Sequence, residues 1–456
     1  MDKIGILGIL AFIGLGYLMS RDKNRIDWKT VRWGLGLQWI FAILILKGEW
    51  LASRLSSIPF PRGMGWAILG LMFAPVLYKR LTNRNLNKLF VRRLLLPIIF
   101  IGLVRGNLIG TAFDKMRGII EGLTSYAAEG SAFVFGPLQP PAFAIFAFTV
   151  LPVIIFVASI FAVFYYLGIM QWVVGVAARS MGRFLKVSGA ESVNVAASIL
   201  MGQTEAPLTI RPFLSKLTRS ELMVIMTAGM AHVSGAIMVA YVQIAKVDVV
   251  HLLTAVIMTA PGAIMMAKIM EPETGIPETD ADIQIIVENQ DVNILDAAAR
   301  GAYDGGQLAF NVAVMLIAFI ALVAMVNGML GGINSSWSLE AFLGIIFKPV
   351  AILMGVPIED AGQIGSLLGK RMVINEFVAF SDLGQIPINM LTEQGRMIAT
   401  FALCGFANFS SIAIQLGGIG ALIPERRGDL ARLGLRAMIA GTLANFMSAS
   451  IAGLIS

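Results

Sequence analysis

Two short polar strings carry the side chains that are best suited to chemistry. Residues 201–207 read Met-Gly-Gln-Thr-Glu-Ala-Pro and include Gln203 and Glu205, and residues 373–378 read Val-Ile-Asn-Glu-Phe-Val and include Glu376. An ionised carboxylate accepts hydrogen bonds from hydroxyl donors, whereas an amide both donates and accepts. The two strings therefore supply groups that can hold a polar solute.

Each polar string is followed by an apolar run with the same internal pattern. Residues 229–234 read Gly-Met-Ala-His-Val-Ser, and residues 405–410 read Gly-Phe-Ala-Asn-Phe-Ser. The carboxylates of the two strings are 171 residues apart, and the polar residues His232 and Asn408 of the two runs are 176 residues apart. These nearly equal offsets indicate an internal repeat of a polar segment and an apolar run.

Helix packing is the alternative explanation for the small residues in these runs, since small side chains let helices approach closely. That explanation suits Gly229, Gly235 and Gly405. It does not explain Glu205 and Glu376, because burying unpaired carboxylates is costly. We therefore expect the polar residues to have a function.

The composition indicates that most of the chain lies in lipid. The 456 residues are 57% hydrophobic and only 14% charged, whereas soluble proteins carry about 25% charged residues. The net charge of +7 comes from Lys and Arg in short loops, so it does not predict a nucleic-acid partner. A single cysteine, Cys404, excludes a disulfide framework and fits no metal-ligand spacing.

Ten apolar runs approach the roughly 20 residues that a helix needs to cross a bilayer. They lie near 4–20, 33–50, 63–79, 93–112, 143–167, 221–243, 250–270, 306–329, 397–421 and 435–455. Lys and Arg cluster in four loops, near 21–32, 79–93, 179–186 and 426–436. If these loops are cytoplasmic, the crossings alternate and both termini face outward, as the positive-inside rule requires.

Runs 190–214 and 361–384 carry charged and amide residues in mid-run, which predicts re-entrant hairpins that line a cavity. The apolar run after the first hairpin then crosses outward and the one after the second crosses inward, so the repeat is inverted. Amphipathic interfacial helices are expected near 114–128 and 168–187. The predicted fold is an all-α polytopic membrane protein of about ten transmembrane helices and two hairpins, with a site near the midplane.

The sequence resembles the concentrative nucleoside transporters, from about residue 4 to 41 and from 130 to the C terminus. The resemblance rests on Gly-Gln-Thr-Glu-Ala-Pro at 202–207 with Arg-Pro-Phe at 211–213, Asn-Glu-Phe-Val at 375–378, Gly-Phe-Ala-Asn-Phe-Ser-Ser at 405–411 and Pro-Glu-Arg-Arg at 424–427. It implies a multi-pass inner-membrane symporter that works by alternating access, assembles as a homotrimer and has no enzymatic activity.

The resemblance also implies roles for individual residues. The nucleobase would be held by Gln203, Thr204, Glu205 and Ile237. The ribose would be held by Glu376, Phe406, Asn408 and Ser411. A site built on such hydrogen bonds rejects analogues that lack the hydroxyl, because its own polar groups are then left unpaired.

Two residues depart from the sodium-coupled members of the family. Those members have Asn five residues before the hairpin Gln and Ser or Thr in the broken span, where this chain has Ser198 and His232. An imidazole removes an oxygen ligand, and its usual pKa of about 6.5 suits proton exchange. The ion-coupling candidates are Ser198, Met201, His232 and Val233, with H⁺ slightly favoured over Na⁺. A neutral His232 bonded to a backbone carbonyl is the alternative.

The resemblance divides the chain into five segments. They are N-terminal helices (1–129) with an additional helical hairpin (about 51–112) and an interfacial helix, a scaffold helix and interfacial helix (130–187), the first transport repeat (188–270), an acidic loop and scaffold helix (271–360) and the second transport repeat (361–456).

A membrane-embedded enzyme and a passive channel are the rival functions. The sequence contains no H-E-x-x-H zinc motif and no nucleophile motif, which disfavours an enzyme. Paired hairpins favour a gated, occluded site over an open channel. We therefore expect no catalytic residue, no metal and no cofactor other than the coupling ion.

Overall fold

The computed structural model describes residues 4–54, 108–136, 146–279 and 291–456. The predicted span at 63–79 and most of the span at 93–112 lie outside these residues, as does most of the predicted hairpin at 51–112. The chain forms two compact units: the larger comprises residues 1–39, 120–454 and 456, and the smaller comprises residues 40–119 and 455.

Every regular element in the described ranges is a helix, as the hydrophobic runs predict. In the first half these helices are α1 (Ile4–Leu18), α2 (Trp28–Leu46), α3 (Gly48–Arg54), α4 (Leu108–Phe135), α5 (Leu151–Tyr166), α6 (Ile169–Leu185) and α7 (Gly189–Ser198). Single helical turns at Lys23–Arg25 and Phe146–Thr149 precede α2 and α5.

The second half begins with a 3₁₀ segment, Ala206–Lys216, that pairs with α7 as the first hairpin. The helices that follow are α8 (Arg219–Ala231), α9 (Gly235–Ala245), α10 (Val249–Met270), α11 (Ile294–Ile333), α12 (Leu339–Leu353), α13 (Ala361–Val373), α14 (Glu376–Gln385), α15 (Glu393–Leu403), α16 (Phe409–Leu422) and α17 (Arg427–Ile455). Helices α13 and α14 form the second hairpin.

Capping residues start the helices around the first hairpin. The Ser188 side chain accepts from the Glu191 backbone N–H while the Glu191 carboxylate accepts from the Ser188 N–H, and Thr218 and Glu221 do the same at α8. Such capping boxes satisfy backbone donors that a helix leaves unpaired at its N terminus. Both helices therefore begin at positions that the sequence itself specifies.

Both predicted inverted-repeat spans are broken in the middle. The first is interrupted between α8 and α9 at residues 232–234, and the second between α15 and α16 at residues 404–408. These breaks coincide with the two Gly-x-Ala-polar-x-Ser strings. The repeat read from the sequence therefore corresponds to a repeated helix–break–helix structure.

Three details differ from the sequence-based expectation. Helix α11 is 40 residues long, whereas only residues 306–329 were expected, because its charged first turns continue the same helix. Helix α12 was not predicted, since it has only 15 residues and contains Lys348 and Pro349. The expected boundary between residues 129 and 130 lies inside the 28-residue helix α4.

In the described ranges, six helical segments are long and apolar enough to cross a membrane. They are Trp28–Leu46, Ala147–Tyr166, Arg219–Ala245, Val249–Met270, Ile294–Ile333 and Pro424–Ile455. Two shorter apolar helices, Ile4–Leu18 and Phe409–Leu422, account for two more of the ten predicted runs. The chain is therefore a multi-pass membrane protein.

Several predicted cytoplasmic segments meet at one end of the larger unit. The Arg21 Nη1 lies 3.0 Å from the Glu271 Oε1, so the first basic loop contacts the acidic segment. The Arg436 guanidinium donates to the Met19 carbonyl at 2.8 Å. The Thr30 hydroxyl donates to the Leu185 carbonyl at 2.9 Å, which adds the basic C-terminal end of α6; the predicted basic loop at 179–186 is thus mostly helical. These contacts agree with placing the basic loops on one side of the membrane.

Helices α5 and α11 pack along each other through small residues. A Cβ at Gly301 would lie 2.5 Å from the Ala162 Cβ, and one at Gly305 would lie 2.7 Å from the Ala158 Cβ. Glycines four residues apart allow this approach, as in other membrane helix pairs. The α5–α11 pair forms one wall of the cavity described below.

Candidate substrate-binding site

Glu376 is the centre of a buried hydrogen-bond network. The Tyr241 hydroxyl donates to its Oε1 at 2.8 Å, and the Asn408 Nδ2 donates to its Oε2 at 2.9 Å. Tyr241 lies on α9 and stacks on Phe380 of α14 with 4.4 Å between ring centroids. The carboxylate is therefore held by one donor from each transport repeat.

Asn408 has a second role as the N-cap of α16. Its Oδ1 accepts the Ser411 backbone N–H at 2.9 Å and the Ser410 hydroxyl at 2.7 Å. Because the amide is fixed at both ends, its Nδ2 is aimed at Glu376. The helix start thus orients a predicted ribose-binding side chain.

Gln203 connects the first hairpin to this network. Its Nε2 donates to the Ser411 Oγ at 3.2 Å, and its Oε1 is buried without a partner among the described residues. Four predicted residues, Gln203, Ser411, Asn408 and Glu376, therefore form one connected chain between the repeats. An unpaired buried acceptor is unusual and is available to a ligand donor.

Three other predicted residues lie outside this chain of hydrogen bonds. Thr204 packs against α16, where a Cβ at Gly418 would lie 2.4 Å from the Thr204 Cγ2. Ile237 is buried on α9. Phe406 is half-buried, and its backbone N–H donates to the His232 carbonyl at 3.4 Å, which joins the two helix breaks.

Glu205 faces a cavity of about 570 Å³ that is also lined by Met201 and Ser234. One Glu205 oxygen accepts the Gly202 N–H at 3.2 Å, and the side chain is otherwise exposed to the cavity. The opposite wall comes from α5 and α11 and includes Tyr165. None of Glu376, Asn408 and Ser411 is among the described residues that line this cavity, so the structure separates the two predicted carboxylates.

Arg300 organises the charged part of the cavity wall. It donates to both Asp291 oxygens, at 2.7 and 2.9 Å, and to Asp304 at 3.2 Å. The hydrogen bond from Arg300 holds the pKa of the Asp291 carboxyl below its usual range. The Asp291 carboxylate therefore stays ionised across the physiological pH range.

At the first helix break, His232 contacts Ser198, another of the ion-coupling candidates. Its Nδ1 lies 2.7 Å from the Ala228 carbonyl oxygen and 3.0 Å from the Ser198 Oγ. The Ser198 hydroxyl donates to the Val195 carbonyl at 2.8 Å, so these partners assign the imidazole proton to Nδ1. The Nε2 is buried without a partner among the described residues. Of the other ion-coupling candidates, Met201 lines the cavity.

The remaining ion-coupling candidate, Val233, is fully buried beside His232. Its side chain offers no ligand atom, so only its backbone could contribute to a cation site.

The sequence reasoning missed three polar residues at this site. Tyr241 binds Glu376, and Arg371 and Asn445 bind carbonyls at the two helix breaks. A lone Arg in the second hairpin and a lone Asn in the apolar C-terminal helix were available signals, because polar residues at membrane depth are functional candidates. Tyr241 gave no such signal.

The repeated helix–break–helix structure, the two helical hairpins and the buried polar network between them suit a membrane transporter. The chain matches the family models described as "Na+ dependent nucleoside transporter" C-terminus over residues 251–453 and N-terminus over residues 7–59, and "Nucleoside recognition" over residues 147–247. The protein belongs to the concentrative nucleoside transporter family, whose members are transporters and not enzymes.

Relatives and solved structures extend the similarity to the whole chain. The uncharacterized transporter YutK of Bacillus subtilis is 40% identical, covering 99% of this chain and 98% of its own length. The nucleoside permease NupC of Helicobacter pylori is 39% identical over 75% of this chain and 85% of its own length. A structure of CNTnw in an inward-facing substrate-bound state is 34% identical with a TM-score of 0.81, covering 100% of this chain and 98% of that chain.

Proposed function

We propose that the protein is a secondary active importer that carries a nucleoside with a cation by alternating access. The observation that supports this most strongly is the chain of hydrogen bonds from Gln203 through Ser411 and Asn408 to Glu376. It joins the first hairpin to the second at the place where both spans are broken. Relatives described as nucleoside permeases support the choice of substrate.

Gln203 and Glu376, at the two ends of this series of hydrogen bonds, suit the nucleobase and the ribose of a nucleoside, respectively. The Glu376 carboxylate accepts hydrogen bonds well, so ribose hydroxyls are its natural ligands. The unpaired Gln203 Oε1 and the cavity-facing Glu205 accept N–H donors at the edge of a nucleobase. We assign Thr204 and Ile237 to the base side, and Phe406, Asn408 and Ser411 to the ribose side.

A proton is favoured over sodium as the coupling ion. The His232 Nδ1–H is directed at the Ser198 hydroxyl and the Ala228 carbonyl, so it occupies two oxygen atoms that could otherwise bind a cation. Sodium is a hard cation that needs several oxygen ligands. The His232 Nε2, which is buried without a hydrogen-bond partner among the described residues, is the atom that we propose exchanges the proton. The alternative is a sodium symporter with a modified sodium site.

Labelled uridine uptake into proteoliposomes tests the substrate and the ion together. We expect saturable uptake that is inhibited by adenosine, inosine, cytidine and deoxyuridine to different degrees. An inward proton gradient without sodium should drive accumulation. Strong accumulation under a sodium gradient alone, with no pH gradient, would contradict proton coupling while leaving nucleoside transport intact.

We further propose that the protein assembles as a homotrimer in the inner (cytoplasmic) membrane, as the family resemblance implies. Native mass spectrometry of the full-length protein in lipid nanodiscs measures the assembly directly. Three chains per particle are expected, and a single chain per particle would contradict the trimer.

A further inference from the structure

Gln415 is a fully buried amide on α16, one helical turn after Ser411. Its Nε2 donates to the Met226 carbonyl of α8 at 3.0 Å, and its Oε1 is buried without a partner among the described residues. Helix α16 is a short apolar helix, and a polar side chain at membrane depth is a candidate for a function. A buried amide in this position therefore requires an explanation.

The hydrogen bond to Met226 decides which end of the Gln415 amide is free. A backbone carbonyl only accepts, so the NH₂ group of Gln415 must face it and Oε1 must be the end without a partner. The Gln203 amide has no such constraint, because its partner, the Ser411 hydroxyl, both donates and accepts. Gln415 therefore has a fixed orientation, whereas the orientation of Gln203 depends on its surroundings.

Gln415 and Gln203 meet at Gly229 of α8. A Cβ at Gly229 would lie 2.8 Å from the Gln415 Nε2, 3.1 Å from the Gln203 Cβ and 3.3 Å from the Gln203 Cα. Met226 and Gly229 are three residues apart, so they lie on one face of α8. The base of the Gln203 side chain is therefore packed against α8 at the place where Gln415 is hydrogen-bonded.

One face of α16 contacts the tip of the first hairpin. Ser411, Gln415 and Gly418 are spaced by four and three residues, which places them on the same side of a helix. The Ser411 hydroxyl accepts from the Gln203 amide at 3.2 Å, and a Cβ at Gly418 would lie 2.4 Å from the Thr204 Cγ2. Gln415 is the middle residue of the three, and its hydrogen bond fastens this face to α8.

We propose that Gln415 is a positioning residue for the nucleobase: it anchors α16 to α8 beside Gln203 and so fixes where the Gln203 Oε1 meets an N–H donor of the base. This inference rests on the proposed role of Gln203 toward the nucleobase. On the ribose side, Asn408 caps the backbone of Ser411 and donates to Glu376. Neither of these bonds involves Gln415, so its loss should impair recognition of the base and spare recognition of the ribose.

The test measures KM and the maximal uptake rate in proteoliposomes for uridine and two analogues. 3-Methyluridine lacks the N–H donor of the uracil ring, and 2′-deoxyuridine lacks a ribose hydroxyl. Gln415→Met keeps the length of the side chain and removes its hydrogen-bonding groups. We expect it to raise the uridine KM about fivefold and to lower the ratio of the 3-methyluridine KM to the uridine KM by about the same factor. The 2′-deoxyuridine ratio and the maximal rate for uridine should keep their wild-type values.

Gln38→Met is the matched control. Gln38, on α2, is also a fully buried glutamine that packs on a glycine of another helix, since a Cβ at Gly262 would lie 2.4 Å from its Nε2. Its amide has no hydrogen-bond partner among the described residues, which include the binding site. Gln38→Met should leave both KM ratios unchanged. An equal fall of the 3-methyluridine ratio in Gln38→Met and Gln415→Met would show a general packing effect and would overturn the proposal.

A double-mutant cycle separates positioning from a purely structural role. In a Gln203→Met background, Gln415→Met should change the uridine KM less than about twofold, because the amide that it positions is absent. Three results would overturn the proposal: effects of the two substitutions that multiply, a wild-type 3-methyluridine ratio in Gln415→Met, or an equal fall of both ratios in that variant.

Gly229→Ala provides a second variant in case Gln415→Met does not insert into the membrane. The added Cβ displaces the Gln415 amide and the Gln203 side chain together, so the 3-methyluridine ratio should fall here as well. An unchanged ratio in Gly229→Ala is equally contrary to the proposal. Absence of uridine uptake by the wild-type protein would instead contradict the proposed function itself.

Discussion

Two neutral donors share the Glu376 carboxylate, and each uses a different oxygen. Glutamine offers one acceptor oxygen in place of two, so Glu376→Gln removes the charge and one of the two hydrogen bonds that the carboxylate accepts. Hydrogen bonds to charged groups contribute about 1.5–3 kcal/mol. We therefore expect the KM for uridine to rise roughly 10- to 150-fold, with reduced discrimination against deoxyuridine. Glu359→Gln, on an exposed loop, is the control and should leave KM unchanged.

The choice of coupling ion at the break between α8 and α9 is expected to depend on Ser198 and His232. If the Ser198–His232 contact replaces a sodium site, Ser198→Asn combined with His232→Ser should restore oxygen ligands and make uptake sodium-dependent. Uptake rates with and without sodium, at fixed pH, provide the measurement. His251→Gln changes the only other histidine and should not alter the ion dependence. If the uptake rate of the double variant were the same with and without sodium, the Ser198–His232 contact would not stand in place of a sodium site.

At the scale of elements, the contact between the first hairpin and α16 is tested by two adjacent glycines. A Cβ at Gly418 would lie 2.4 Å from Thr204, whereas one at Gly417 has no atom within 4 Å. Overpacking typically costs about 1–3 kcal/mol, so Gly418→Ala should displace Thr204 and raise KM about tenfold. Gly417→Ala should be silent in uptake and should stabilise α16, because alanine favours helix over glycine. Equal KM values for the two variants would show that this contact does not shape the site.

The two hairpins and the two helix breaks could be predicted from the sequence, because polar residues and glycines interrupt otherwise apolar runs there. Gln203, Glu376 and Asn408 were found because amides and carboxylates are rare in apolar runs, whereas Ser411 was named only through the family resemblance. The structure brings all four together. Helix α12 was not predicted, because a short helix with a lysine gives no clear membrane signal. The separation of Glu205 from Glu376 depends on tertiary packing, which a repeat offset does not encode.

At the scale of the whole molecule, the orientation rests on the basic loops that meet Glu271. Cys404 is the only cysteine, so in a Cys404→Ala background each introduced cysteine is the only thiol that a maleimide can label. Thr274→Cys, in the acidic segment, should resist a membrane-impermeant maleimide in intact cells and react after permeabilisation. Ser335→Cys, beyond the far end of α11, should react in intact cells. The reverse pattern would invert the topology.

The central claim is that the two repeats together carry a nucleoside against its gradient. The most direct measurement is the level of unmodified labelled uridine inside proteoliposomes under an inward cation gradient. The account predicts a level above that outside, collapse when an ionophore dissipates the gradient, and loss of accumulation with Glu376→Gln. Equilibration without accumulation, recovery of a converted product, or full accumulation by the Glu376→Gln protein would contradict it.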